Sequence, residues 1–330
     1  MRYLFLLEDD MTPKDLREGP KITRSAFLRL AAAATGAGVA AGLALGESAH
    51  AAGPQHMRTI PKSGEKIPAV GLGTARTFNV GRDPAMVRPR KEVVRLFLRE
   101  GGKVIDTSPS YGASEALTGD ILAGLGSGDR AFIATKISTW GRENGIAQLN
   151  ESMRHFRRKT IELEQVHNLK DTDVHLKTLR KWRDAGRVRY IGITHFRPSA
   201  YEDIEAVIKK EPLDFLQLRY NIRARDAEER LLPLCADKGV AVMVNRPYER
   251  GRLFRPVKGK SKPGWLAEFG AESWGQFFLK FIVSHPAVTV IIPATRKPKH
   301  LLDNMGAGRG LLPDAAGRRK MLKLWERFTA

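Results

Sequence analysis

Lys103-Val104-Ile105-Asp106-Thr107-Ser108-Pro109-Ser110-Tyr111 decides the fold. Its first three residues read as the end of a strand, Asp106 terminates it, and Tyr111 follows five residues on. Two later runs end the same way. Ala131-Phe132-Ile133-Ala134 leads to Lys136, and the run from Ile161 to Val166 leads to His167. A strand covered on both faces is apolar almost throughout, so a polar residue at its end marks where the chain leaves the core. In a parallel α/β barrel that end of the strands carries the chemistry. Asp106, Tyr111, Lys136 and His167 are therefore the candidate catalytic set.

Working outward, short apolar runs rich in Val and Ile recur at 69–73, 103–106, 131–136, 161–167, 188–193, 215–218, 240–244 and 288–292. Helix-like segments separate them, at 91–99, 114–123, 146–156, 173–185, 200–209, 227–237 and 272–284. Gly101, Gly186 and Gly239 follow helical runs, as a left-handed cap requires. Strand and helix alternating at this spacing imply parallel strands joined by crossovers. Eight such units predict an α/β fold of the (β/α)8 TIM-barrel type over residues 52–330. An open doubly wound sheet would also alternate. Its glycine fingerprint is only partly present, as Gly71-Leu72-Gly73-Thr74 without a third glycine. Residues 58–70 read as a hairpin around Ser63-Gly64, placed to close the bottom of the barrel. Residues 314–328 read as an extra C-terminal helix. The longest irregular stretch, 247–270, is either a functional lid or disordered.

Lys plus Arg number 56 against 36 Asp plus Glu, a formal charge of +20. Such a charge raises nucleic acid as a partner. The basic residues are scattered, with no Lys/Arg run and no aromatic-interleaved strip, so no nucleic-acid partner is expected. The single cysteine, Cys235, excludes an intrachain disulfide and reads as a small core residue. No His/Cys cluster has metal-ligand spacing, so no metal site is expected. At the N-terminus, Arg24 and Arg29 precede the uncharged run 31–46, and Ala49-His50-Ala51 follows it. A basic flank, a short apolar run and a small-x-small ending read as an export signal over residues 1–51, removed after Ala51. The run is short and weakly apolar for a membrane span, so a retained anchor is the lesser reading. Thr23-Arg24-Ser25-Ala26-Phe27-Leu28-Arg29 resembles a twin-arginine signal, with Ser25 in place of the second arginine. A periplasmic location follows if the signal works, a cytoplasmic one if it does not.

The four strand-end residues suit hydride reduction of a carbonyl, which needs a proton delivered to the developing alkoxide. A phenol titrates near 10, and a neighbouring ammonium favours its ionised form. Lys136 can supply that charge to Tyr111, and Asp106 can hold Lys136 charged. His167 can donate to the carbonyl oxygen and orient it.

These residues also carry a resemblance. Ile105-Asp106-Thr107-Ser108-Pro109-Ser110-Tyr111-Gly112-Ala113-Ser114-Glu115, Ala134-Thr135-Lys136 and Gln165-Val166-His167 resemble motifs of the aldo/keto reductase superfamily. So do Gly186 to Thr194, Gln217-Leu218-Arg219-Tyr220-Asn221, and Ile292-Pro293-Ala294-Thr295 through Asn304. The resemblance runs in order from about residue 58 to 305. It implies NAD(P)H-dependent reduction of small aldehydes or ketones, with Tyr111 as general acid. It also implies that Thr194, His195 and Gln217 hold the nicotinamide carboxamide. Thr194-His195 stands where the family has Ser-Asn. Arg246-Pro247-Tyr248 replaces a small residue, Pro and Leu, which places Tyr248 near the nicotinamide face. Thr295, Arg296, Lys297 and Asn304 belong to the cofactor segment. Arg296, Lys297, Lys299 and His300 favour NADP over NAD through its 2′-phosphate. Phe78, Trp140 and Tyr248 are candidates for an apolar substrate mouth. A nicotinamide-binding regulatory or sensory subunit on the same barrel is the alternative function.

Overall fold

The computed structural model describes residues 53–329; the signal-like segment at 1–51 lies outside the described residues. Eight parallel strands hydrogen-bond in chain order. They are β3 (Leu72–Gly73), β4 (Val104–Asp106), β5 (Phe132–Ile137), β6 (Ile161–His167), β7 (Val188–His195), β8 (Phe215–Arg219), β9 (Ala241–Asn245) and β10 (Val288–Ile291). Main-chain bonds across the seam close the ring: Gly71 N donates to Ile291 O at 2.8 Å, and Ile291 N donates to Ala69 O at 2.9 Å. The seam is tight enough to need glycine. A Cβ on Gly73 would lie 2.7 Å from the Ile292 carbonyl oxygen, closer than carbon and oxygen approach. The expected (β/α)8 barrel is the observed fold.

Helices cover the outside of the ring: α1 (Pro84–Arg99), α2 (Ser114–Gly124), α3 (Arg142–Phe156), α4 (Thr172–Asp184), α5 (Tyr201–Lys210), α6 (Leu231–Lys238), α7 (Trp274–Val283), α8 (Pro298–Gly306) and α9 (Ala315–Thr329). Among the described residues no helix is long and apolar enough to cross a membrane. Several boundaries differ from the sequence expectation, among them an earlier start of α3 at Arg142 and a first barrel strand confined to Leu72–Gly73. α1 starts seven residues early, behind Asp83, whose Oδ1 accepts from Ala85 N at 2.9 Å. Pro89 hid that start, because proline usually marks a helix boundary; here it removes one backbone hydrogen bond from an early turn. The segment expected as one helix at 227–237 is a 3-10 turn, Asp226–Glu228, followed by α6. Within the stretch 247–270, short 3-10 turns lie at Glu249–Phe254, where Arg250 and Gly251 form a kink of positive φ, and at Gly264–Phe269; Leu253, Val257 and Leu266 are buried.

The hairpin β1 (Met57–Thr59) and β2 (Lys66–Pro68) pairs antiparallel. Ile60 and Ile67 from this hairpin pack into the ring interior with Val104, Phe132, Leu163, Tyr190, Phe215 and Met243. Most of these belong to the amino-terminal halves of the strands, so the hairpin plugs that end. Tyr190 Oη donates to Ser63 Oγ at 2.9 Å, and Lys62 Nζ donates to Leu213 O at 2.5 Å. Successive side chains of a strand alternate between interior and exterior. Phe132 and Ala134 fill the interior, so Lys136 also points inward, one layer above Ala134.

Candidate active site

At the carboxyl end the interior turns polar. Lys136 Nζ, from β5, lies 2.8 Å from Asp106 Oδ1 at the end of β4, and donates to Thr107 O at 2.5 Å. The two side chains are 0% and 3% exposed. Burial disfavours the Lys136 ammonium, but the Asp106 carboxylate overcomes it, and the lysine pKa rises above its ordinary value. Gln217 Nε2, from β8, donates to the same Oδ1 at 2.7 Å. Gln217 Oε1 accepts from Thr194 Oγ1 at 3.2 Å and from Asn245 Nδ2 at 3.3 Å. The pair is thus braced by side chains from β7, β8 and β9.

Tyr111 follows β4 in a single 3-10 turn, Pro109–Tyr111, capped by Ser108 Oγ, which accepts from Ser110 N at 3.2 Å. Gly112 continues the turn at φ 61°, a conformation glycine adopts without strain. Asn79 Oδ1 accepts from Ala113 N at 3.0 Å and pins the far side. The Lys136 ammonium lies 5.2 Å from the Tyr111 ring centroid. The direction of the phenol pKa differs from the sequence expectation. Burial pushes it up, the Lys136 charge pulls it back, and the net shift is upward. Desolvation outweighs one ammonium that is already shared with Asp106. Tyr111 is therefore a protonated donor throughout the neutral range.

His167, at the end of β6, meets Tyr111 edge to face, with ring centroids 6.1 Å apart. Burial, with the positive charges of Lys136, Lys170 and His195, lowers its pKa to about 3. The imidazole is neutral. Its Nδ1 lies 2.5 Å from Ser138 Oγ, 3.3 Å from Ser108 Oγ and 3.4 Å from Ser110 Oγ. A hydroxyl that donates to Nδ1 leaves the ring proton on Nε2. His167 then carries a neutral N–H donor on the cavity wall that it shares with Tyr111. This serine collar was not singled out from the sequence.

These groups open into a cavity of about 970 Å³, at the upper end of the usual range for small-molecule sites. Asp106, Tyr111, His167, Thr194 and Gln217 lie on its wall. Tyr248, Thr295 and Asn304 do so as well, and Tyr248 Oη donates to Asn304 Oδ1 at 2.6 Å. Other expected residues are elsewhere. His195 is off the wall, and its Nδ1 accepts from Arg197 N at 3.1 Å. Arg296 and Lys297 are exposed beyond the wall, whereas His300 is on it. Phe78 is fully buried in the outer core, and Trp140 is 64% exposed, so neither lines the mouth.

Asn245, at the end of β9, is a wall residue that the sequence reading missed. The signal was present, since it is the first polar residue after Ala241 to Val244. Its Oδ1 is buried and has no hydrogen-bond partner. An orphaned buried acceptor costs free energy, and here it faces a cavity. An amide N–H₂ from a bound molecule would donate to it, so the polar group Thr194, Gln217 and Asn245 fits a nicotinamide carboxamide. Among the described residues no His, Cys, Asp and Glu cluster could hold a metal ion.

A model of the Aldo/keto reductase family matches residues 69–317. Aldo-keto reductase YhdN of Bacillus subtilis (strain 168) is 27% identical over 213 residues, 59% of this chain and 62% of that protein. The match thus spans less than two thirds of that relative. Probable aldo-keto reductase 1 of Glycine max is 25% identical over 289 residues, 74% of this chain and 82% of that protein. The crystal structure of an aldo/keto reductase from Klebsiella pneumoniae in complex with NADP and acetate superposes with a TM-score of 0.69. It is 21% identical, with 81% of this chain and 95% of that one covered.

Proposed function

The chain belongs to the aldo/keto reductase family, and from that premise we propose that it reduces aldehydes or ketones to alcohols with NADP as cofactor. The observation that carries the reading is a protonated phenol, Tyr111, beside a buried Lys136–Asp106 pair and a neutral His167 on one cavity wall. Thr194, Gln217 and Asn245 would hold the nicotinamide end of the cofactor. Thr295 and Asn304 would line its path, and His300 with exposed Arg296 and Lys297 would meet a 2′-phosphate. Bound NADPH supplies the hydride.

The chain's own groups do the rest. The substrate carbonyl oxygen sits between the Tyr111 hydroxyl and His167 Nε2–H, which orient it and share its developing negative charge. Tyr111 passes its proton to that oxygen, and the phenolate left behind is stabilised by the Lys136 ammonium. Asp106 keeps the ammonium charged through the cycle. Tyr111→Phe tests the assignment. Loss of a positioned acid lowers kcat by about 10²–10⁴-fold, while NADP affinity, read by fluorescence quenching, stays at the wild-type value. Near-normal turnover in the Phe variant would remove Tyr111 from this role. The apolar run and Ala49-His50-Ala51 support export of the protein; amino-terminal sequencing of the protein from its native host should find a chain starting near Ala52, and an intact Met1 would argue against it.

A further inference from the structure

The cavity wall carries charge that the reduction chemistry leaves unused. Arg76, Arg246 and Arg250 all line it, and among the described residues none of the three forms an ion pair. Arg246 is half-buried and lies flat on Phe196, its guanidinium carbon 3.5 Å from the ring centroid. Burial and the nearby cations Arg250, Arg219 and Arg76 lower its pKa to about 10 despite Glu249.

The acidic groups nearby are committed to other partners. Asp106 holds Lys136. Asp303 accepts from Ser273 Oγ at 2.8 Å and from Gln276 Nε2 at 3.0 Å. Glu249 accepts from Asn221 Nδ2 at 3.0 Å and lies 3.6 Å from Arg219. Arg76, Arg246 and Arg250 thus stand on the wall outside any ion pair, with Arg246 partly desolvated, and a charge out of water without a direct ion-pair partner is costly. The chain even holds all three in left-handed backbone conformations, with φ of 62°, 50° and 56° at Arg76, Arg246 and Arg250. Non-glycine residues adopt such conformations only when the surroundings impose them.

We propose that Arg246, aided by Arg76 and Arg250, binds the carboxylate of an anionic carbonyl substrate, so that this reductase prefers aldehydes or ketones bearing an acid group. The inference rests on the reductase reading and names its substrate class. Arg246 lines the same cavity as Tyr111 and His167, so its guanidinium and the proposed reacting groups face one bound substrate. Phe196 and Phe254 on the same wall give the substrate's carbon skeleton an apolar bed. The cofactor's own phosphates are the other source of an anion, and the experiment separates the two.

Reduction of 4-carboxybenzaldehyde and of its methyl ester is compared under saturating NADPH. A charge-assisted hydrogen bond of about 1.5–3 kcal/mol converts to roughly a 10–100-fold preference in kcat/KM for the acid. In Arg246→Met that preference should fall by about 10-fold or more, and Arg246→Lys should retain part of it. Equal rates on acid and ester in the wild type overturn the proposal. So does an unchanged preference in Arg246→Met accompanied by weakened NADP binding, which would assign the guanidinium to the cofactor. If neither aldehyde turns over, calorimetry with benzoate and benzamide on the NADP-saturated protein reads the anion site alone. Tighter benzoate binding, lost in Arg246→Met, upholds the site and removes the reductase reading. No benzoate preference overturns the site.

Discussion

Replacing Lys136 by Met tests the pair at the centre of the site. The substitution keeps the length of the side chain and removes its charge. Asp106 would remain almost fully buried, with Gln217 Nε2 at 2.7 Å as its remaining side-chain donor. The Thr107 carbonyl would also lose the donor now 2.5 Å away. Removing one member of a buried ion pair costs about 3–5 kcal/mol, because the other charge stays behind unpaired. For a domain of this size each kcal/mol lowers Tm by about 2–4 °C, so Lys136→Met should melt roughly 6–20 °C below the wild type. Asp106→Asn alone should also destabilise, since it strands the ammonium. The double variant carries no formal charge at the site and should recover about 0.5–3 kcal/mol relative to the sum of the singles. Calorimetry and urea unfolding of all four proteins give these numbers. A Lys136→Met loss below about 1 kcal/mol, or strict additivity in the double variant, would refute the claim that the two charges hold each other inside the barrel.

Other predictions follow from His167 and its surroundings. Ser138→Ala removes the hydroxyl 2.5 Å from Nδ1 and should lower kcat/KM by about 2–10-fold, the worth of one hydrogen bond, without changing NADP affinity. An unchanged kcat/KM in the Ser108→Ala, Ser138→Ala double variant would show that the collar does not orient the ring. The His167 pKa lies at about 3 in the folded chain against an ordinary value near 6.5. The unfolded chain therefore binds the extra proton first, and the stability contribution is complete above about pH 6.5 and is lost as pH falls toward 3. Urea unfolding should show the wild type losing stability faster than His167→Asn between pH 7 and 4. Parallel curves for the two proteins would contradict a neutral, buried imidazole.

Much of the site was legible because strand ends obey a simple rule. Asp106, Lys136 and His167 each end a buried apolar run, and the parallel register fixes which end of the ring they share. Thr194 and Gln217 came from the family resemblance, and both stand on the wall. Loop residues do not follow the strand-end rule. Phe78 folds inward and Trp140 outward, although both are aromatics in loops, because the backbone path between elements decides the direction. His195 lies one residue beyond Thr194, and strand alternation alone turns it from the cavity. The arginines were hidden for a different reason. Nothing in the one-letter string shows that Arg76, Arg246 and Arg250 take left-handed backbone angles, and those angles help set where their side chains go. The direction of the Tyr111 shift was also unreadable, since it depends on how much water the fold removes.

Among the described residues, the hairpin plugs the amino-terminal end of the ring, and the cavity lies at the other end. Anything that settles on Gln217 and Asn245 must pass the rim to get there, and anything nearer the rim bars its way out. A guest held at that depth is therefore expected to board before a second one and to depart after it, an order that product-inhibition patterns would report.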